Sequence, residues 1–165
     1  LGIYCSTRPR FYAFIRPIMD FMQTMPAFVF MIPVIAFFGT GKVAAVIITM
    51  IFGGTPVVRL TVLGLKGVPQ NIREAAIAYG ASKWYLLTKV DIPLAMPTIL
   101  AGVNQTVMLS LAMVVVASLI GAKGLGQDVL EALQYANVGQ GILAGIAILF
   151  VALLLDRIVQ GKKRV

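Results

Sequence analysis

Apolar residues run along this chain in long blocks set apart by short polar punctuation. A helix that crosses a bilayer needs about 20 predominantly apolar residues, because each residue advances it about 1.5 Å and the hydrocarbon is about 30 Å thick. Four stretches meet that requirement: span A from about Pro17 to Phe38, span B from about Val43 to Leu65, span C from about Leu94 to Ile120, and span D from about Gly139 to Val159. The pattern predicts an all-α fold, a polytopic transmembrane helical bundle forming one domain over residues 1–165. Two blocks carry breakers. Pro26 and Pro33 in span A each remove a backbone donor, and Gly53-Gly54 followed by Pro56 interrupts span B, so both spans are expected to kink. After a Gly124-Leu125-Gly126 turn, Asp128 and Glu131 open a short interfacial helix expected from Val129 to Tyr135. In span D, Gly141 and Gly145 make a small-xxx-small step expected to admit a neighbouring helix.

Composition agrees with a lipid solvent. Hydrophobic residues make up 59% of the chain and charged residues 12%, with a mean hydropathy of +0.94, far from the even balance of soluble domains. The net charge of +8 does not indicate nucleic acid, because the Lys and Arg residues punctuate apolar blocks instead of forming one soluble face. One cysteine, Cys5, and no histidine exclude an intrachain disulfide, a zinc site and His-based acid/base catalysis. No catalytic residue, metal ligand or cofactor is expected. The chain starts at Leu1 with no signal-like region, and it is expected to be N-terminally incomplete.

The basic residues set an expected orientation, since short inner loops collect Lys and Arg. With the B to C loop inside, Arg8, Arg10, Arg16, Lys66, Arg73, Lys83, Lys89, Arg157, Lys162, Lys163 and Arg164 lie in the cytoplasm, and only Lys42 and Lys123 lie outside. Arg59 falls within span B and is expected to snorkel to the interface. Both ends of the chain are then cytoplasmic.

The B to C loop, about residues 68–93, is too polar to span and too patterned to be a tether. Pro69 suits a helix's first turn, and Ile72, Ala75, Ala76 and Tyr79 recur at three- and four-residue spacing on one face. Gly80 can take the left-handed conformation that closes a helix. Ser82 can cap a second short helix carrying Trp84, Leu87, Lys83 and Lys89. Two short helices hinged at Gly80 are expected on the cytoplasmic face.

Within this loop stands Glu74-Ala75-Ala76, three residues, Gly80, nine residues, then Val90-Asp91-Ile92-Pro93. This resembles the signature of permeases of ATP-binding-cassette importers with the type I fold, at every fixed position and at both spacings. In that family the element is the coupling helix, seated in a groove of the ATPase subunit. The resemblance implies that Glu74 pairs with a basic group there, that Ala75 and Ala76 permit close approach, and that Gly80 makes the tight turn, with Val90, Ile92 and Pro93 completing the pattern. Outside the family context, Glu74 reads as a solvated cap and Gly80 as a plain helix stop.

Further segments, among them Met22-Gln23-Thr24-Met25-Pro26-Ala27-Phe28, Leu94-Ala95-Met96-Pro97-Thr98-Ile99 and Ala101-Gly102-Val103-Asn104-Gln105-Thr106, resemble glycine betaine/proline betaine permeases of osmoprotectant uptake systems. That resemblance implies a bacterial or archaeal cytoplasmic membrane, an ATP-binding subunit that hydrolyses ATP in place of this chain, an extracytoplasmic substrate-binding protein or domain, a second permease subunit forming a homodimer, and a further span before Leu1. Phe21, Phe28, Phe30, Phe37 and Phe38 offer faces that attract quaternary ammonium groups, or simply pack helices and meet lipid. Gln23, Thr24, Asn104 and Gln105 are the substrate-pathway candidates, because polar groups in hydrocarbon line a watered path or glue helices together. An importer of another small solute, such as an amino acid or a choline-like compound, fits the same pattern. A channel does not need the helical loop, and an enzyme lacks paired chemistry. Gly39-Thr40-Gly41-Lys42 fails as a phosphate loop, with Ala36 in place of the first glycine and Val43 in place of the Ser or Thr.

Overall fold

A computed structural model describes residues 1–161; Lys162, Lys163 and Arg164, counted above among the inner charges, lie outside the described residues. Among the described residues the regular structure is helical, in the order α1 Gly2–Thr7, α2 Pro9–Thr24, α3 Ala27–Phe38, α4 Lys42–Lys66, α5 Gln70–Ala78, α6 Lys83–Tyr85, a π-helical segment Leu86–Asp91, α7 Ile92–Ser118, α8 Leu125–Gln134 and α9 Val138–Gln160. Three described helices are long and apolar enough to cross a membrane: Lys42–Lys66, the unbroken run Lys83–Ser118, and Val138–Val159. Spans B and D are thus present close to their expected limits, and span C is present but begins eleven residues before Leu94.

Span A is not one kinked helix. It is the pair α2 and α3, bent by 104° at Met25-Pro26. Pro26 has no N–H to give, its ring excludes the residue before it from the helical region, and it sits at ψ 140 as the N-cap of α3. Pro33 inside α3 and Pro17 inside α2 leave their helices unbroken. The expected interruption of span B is also absent, since α4 runs as one 25-residue helix through Gly53, Gly54 and Pro56. Gly53 serves packing instead: a Cβ there would meet Ser110 Oγ at 2.7 Å.

The chain divides into two compact units. The first comprises Leu1–Ile18 and Pro56–Val103. Its core is Leu65, Val68 and Ala95, with Leu87, Ile92 and Ile99 packed against them. Small residues allow α4 and α7 to approach here, as membrane helices need without a hydrophobic drive between them. A Cβ on Gly102 would lie 2.9 Å from Leu60 Cβ and 3.1 Å from Val57 Cα, and one on Gly64 would crowd Ala95 and Thr98.

The second unit comprises Met19–Thr55 and the chain from Asn104 onward. Its core gathers Met31, Val34, Ala44, Ala45, Ile48 and Ile120, and Gly41 N–H donates to Ile120 C=O at 2.7 Å, tying the α3–α4 turn to the end of α7. The short helix α8 starts at Leu125, earlier than Val129, because Gly124 at φ +146 serves as its N-cap and Asp128 falls in its first turn. Gly141 packs on Ala132 of α8, whereas Gly145 faces open space, so only the first half of the expected step meets a neighbour.

Helix α8 closes on Ala136 at φ +51, with Asn137 N–H donating to Ala132 C=O at 2.9 Å. A left-handed Ala costs about 1–2 kcal/mol, and glycine returns about 0.5–1 kcal/mol of that through its freer unfolded chain. Ala136→Gly is therefore expected to stabilise by about 0.5 kcal/mol, read as a small rise in the melting temperature of the detergent-solubilised protein. A fall would count against the strained turn.

Candidate coupling surface

The loop after α4 builds its shape from local rules. Pro69 at φ −58 and ψ 133 caps α5, its fixed ring angle preorganising the entry. At the other end Gly80 takes φ +83, while its N–H donates to Ile77 C=O at 2.9 Å and the Ala81 N–H donates to Ala76 C=O at 3.0 Å. These two bonds are the Schellman closure of a helix, which requires the left-handed residue that glycine supplies. The chain then turns extended at Ser82, whose Oγ accepts from Tyr85 N–H. The expected cap is present, but the helix it starts is not short: α6 passes through the π segment into α7 as a 36-residue helix. A short helix therefore abuts the base of a long one.

The apolar stripe of α5 faces outward. No residue of α5 is buried, and Ile72 is 39%, Ile77 56% and Tyr79 94% exposed, with Trp84 74% exposed on α6. Glu74 and Ala75 are exposed and Ala76 is half-buried; Val90 and Ile92 are half-buried and Pro93 is exposed. The contact of α5 with the base of the long helix is ionic. Arg73 Nη2 donates to Asp91 Oδ2 at 2.7 Å, and the Asp91 side chain is only 3% exposed. Arg73 Nε and Asp91 Oδ1 are buried without a partner. This pair was missed in the sequence, although a lone carboxylate between Val90 and Ile92 at the foot of a span signals a needed cation.

Beside the pair lies a cavity of about 580 Å³ whose cationic lining is Lys66, Arg73 and Lys83. Lys66 Nζ also stands 4.8 Å from the Tyr12 ring centroid, a cation–π contact. A shallower hollow of about 310 Å³ has Glu74 on its lining with Lys66 and Arg73.

The pathway candidates all fall in the second unit. Gln23 and Thr24 end α2 and are exposed, and Thr24 Oγ1 donates to Phe21 C=O within its own turn at 2.9 Å. Asn104 is half-buried and Gln105 exposed in the interior of α7. Asn104 Oδ1, and Thr106 Oγ1 two residues on, are buried without a hydrogen-bond partner. Among the described residues no hydrogen bond joins the α2 candidates to those of α7. Phe21, Phe28, Phe37 and Phe38 stand on the surface.

Residues 1–161 match the family model of the binding-protein-dependent transport system inner membrane component. The chain belongs to this family. It is 48% identical over 164 residues to the glycine betaine/proline betaine transport system permease protein of Escherichia coli (strain K12), covering 99% of this chain and 46% of that protein. It is also 48% identical over 160 residues to the glycine betaine/carnitine transport permease protein of Listeria monocytogenes serotype 1/2a (strain 10403S), covering 97% and 57%. The chain thus spans about half the length of these relatives. A solved structure of the MetNI methionine transporter in an inward-facing conformation matches with a TM-score of 0.74 and 21% identity, over 93% of this chain and 76% of that one. That likeness establishes the type I permease fold.

Proposed function

We propose that this chain is the translocation part of an ATP-driven importer for glycine betaine, proline betaine or a related quaternary ammonium osmoprotectant. The observation that carries the reading is the Glu74 to Pro93 signature standing on a helical knob with an outward apolar face. Exposed Tyr79 and Trp84 are aromatic anchors of the kind enriched at interface hot spots, and exposed Glu74 of α5 supplies a charge for recognition. An ATP-binding subunit seats there, with Glu74 meeting a basic group and Gly80 turning the chain beneath it. Hydrolysis belongs to that subunit, and this chain supplies the path. A second copy completes the path, and an extracytoplasmic binding protein or domain delivers the substrate.

The distribution of Lys and Arg supports a cytoplasmic position for the knob. Helix length supports it further. The 36 residues of Lys83–Ser118 extend about 54 Å at 1.5 Å per residue, against a hydrocarbon thickness of about 30 Å, so the first turns project beyond the lipid. An arm of this kind carries the motion of the ATPase pair into α7. The names of the relatives support the substrate class, and Asn104 and Gln105 on α7 are the polar groups proposed to line the route.

The test is reconstitution of the full-length protein with its ATP-binding subunit and binding protein in vesicles. The expected result is accumulation of labelled glycine betaine that needs ATP and is competed by proline betaine. Accumulation of an amino acid instead would favour the second reading, an importer of another small solute. Flux without ATP would reject the importer reading.

A further inference from the structure

Arg73 and Asp91 are joined by one bond where their geometry offers two. The guanidinium side that carries Nε and Nη2 matches the two oxygens of a carboxylate, and a side-on fork uses both N–H groups in parallel. Here Nη2 reaches Oδ2 at 2.7 Å, while Nε and Oδ1, the remaining halves of the same fork, are both buried and both unpartnered. Leaving a buried donor and a buried acceptor unmade is unfavourable for each. A small rotation of one side chain or a small shift of α5 satisfies both at once.

The surroundings make this pair mechanically relevant. Helix α5 has no buried residue, so little apolar packing restrains it, and Arg73 is its ionic tie to the base of the long helix. Asp91 closes a π-helical segment, a local widening of the helix often found at functional sites. Glu74, the proposed ATPase contact, is the next residue after Arg73, so a load on the outer face of α5 acts directly on the tie.

We propose that the Arg73–Asp91 pair is a half-closed clasp, and that seating of the ATPase subunit on α5 completes it by adding the bond from Arg73 Nε–H to Asp91 Oδ1. With two parallel bonds α5 and the foot of the long helix move as one body; with one bond α5 pivots. Arg73 and Asp91 are positioning residues in this scheme. The inference rests on the reading of α5 as the ATPase contact and adds how that contact is made stiff.

Arg73→Lys decides the matter, because lysine keeps the charge but cannot form a fork. In the assembled, reconstituted transporter, Arg73→Lys, Arg73→Met and Asp91→Asn are each expected to lower substrate moved per ATP hydrolysed about fivefold, while the ATPase subunit still co-purifies at the wild-type ratio. The double variant Arg73→Met/Asp91→Asn is expected to be no worse than either single one, since all cut the same link. Full coupling in Arg73→Lys overturns the fork, and additive losses in the double variant overturn the shared link. Ala78→Cys, tested for cross-linking to the ATPase subunit, separates the two levels. Cross-linking with normal coupling in Arg73→Lys rejects the clasp alone; absence of cross-linking in the otherwise wild-type complex rejects the docking reading and the clasp with it.

Discussion

Replacing Gly80 by valine is expected to lower ATP-driven uptake and substrate-stimulated ATP hydrolysis about a hundredfold while the protein still inserts in the membrane. The reason is conformational. Gly80 sits at φ +83, and an added Cβ meets no atom within 4 Å, so the isolated chain has room for a side chain. What it lacks is a permitted backbone: a left-handed L-residue costs about 1–2 kcal/mol, and a β-branched one is a sharper outlier. Relaxing Gly80 out of that region breaks the two closing bonds to Ile77 and Ala76 and re-aims α5 against α6. A graded series separates conformation from bulk. Asparagine tolerates the left-handed region, so Gly80→Asn is expected to keep most activity, Gly80→Ala to lose about tenfold, as 1.4 kcal/mol is a factor of ten, and Gly80→Val to lose the most. Uptake, ATPase stimulation and surface labelling of the inserted protein measure the series. If asparagine proves worse than alanine, crowding against the partner decides the effect; a fully coupled valine variant would remove Gly80 from the coupling surface.

The long spans were legible because lipid leaves the backbone few choices. Blocks of about 20 apolar residues must satisfy their own hydrogen bonds as helices, and α4, α7 and α9 run within a few residues of the expected limits. Breakers were less legible. Pro26 divides its span by 104°, yet Pro56 sits inside an unbroken α4, and nothing local to either residue distinguishes them. Gly53 beside Ser110 shows part of the reason: a glycine that weakens α4 in isolation is used for close packing in the fold, whereas Gly54 meets nothing within 4 Å.

The candidate coupling surface was legible by its motif and its turn chemistry, and not in its facing. Three- and four-residue spacing of Ile72, Ala75, Ala76 and Tyr79 identifies a helix with an apolar side. Periodicity carries no information on whether that side meets a core or awaits a partner, and here Tyr79 is 94% exposed. The inward contact is instead ionic and spans 18 positions of sequence, from Arg73 to Asp91. Pairing at that distance depends on the turn at Gly80, which the glycine marks, and on the π segment, which side-chain spacing does not reveal.

Asn104→Leu is expected to make the protein more stable and at least tenfold slower in uptake, and the opposite signs are the point of the experiment. Asn104 Oδ1 is buried and unpartnered in the interior of α7, and an unmade buried acceptor costs about 1–3 kcal/mol. Leucine fills a similar volume without that liability, so the melting temperature of the solubilised complex should rise. A polar group held at such a cost is expected to have its use elsewhere, and the use proposed for it is a watered route for a polar solute. The competing role, glue between helices, predicts the reverse: if Asn104 bonds a neighbouring subunit in the assembled transporter, leucine removes that bond and stability falls. Gln105→Leu, at the exposed neighbouring position, provides the comparison. Unchanged affinity and rate of uptake there, with a slowed and stabilised Asn104→Leu, would place the route on the Asn104 side of α7; a destabilised Asn104→Leu with normal uptake would take Asn104 out of the pathway.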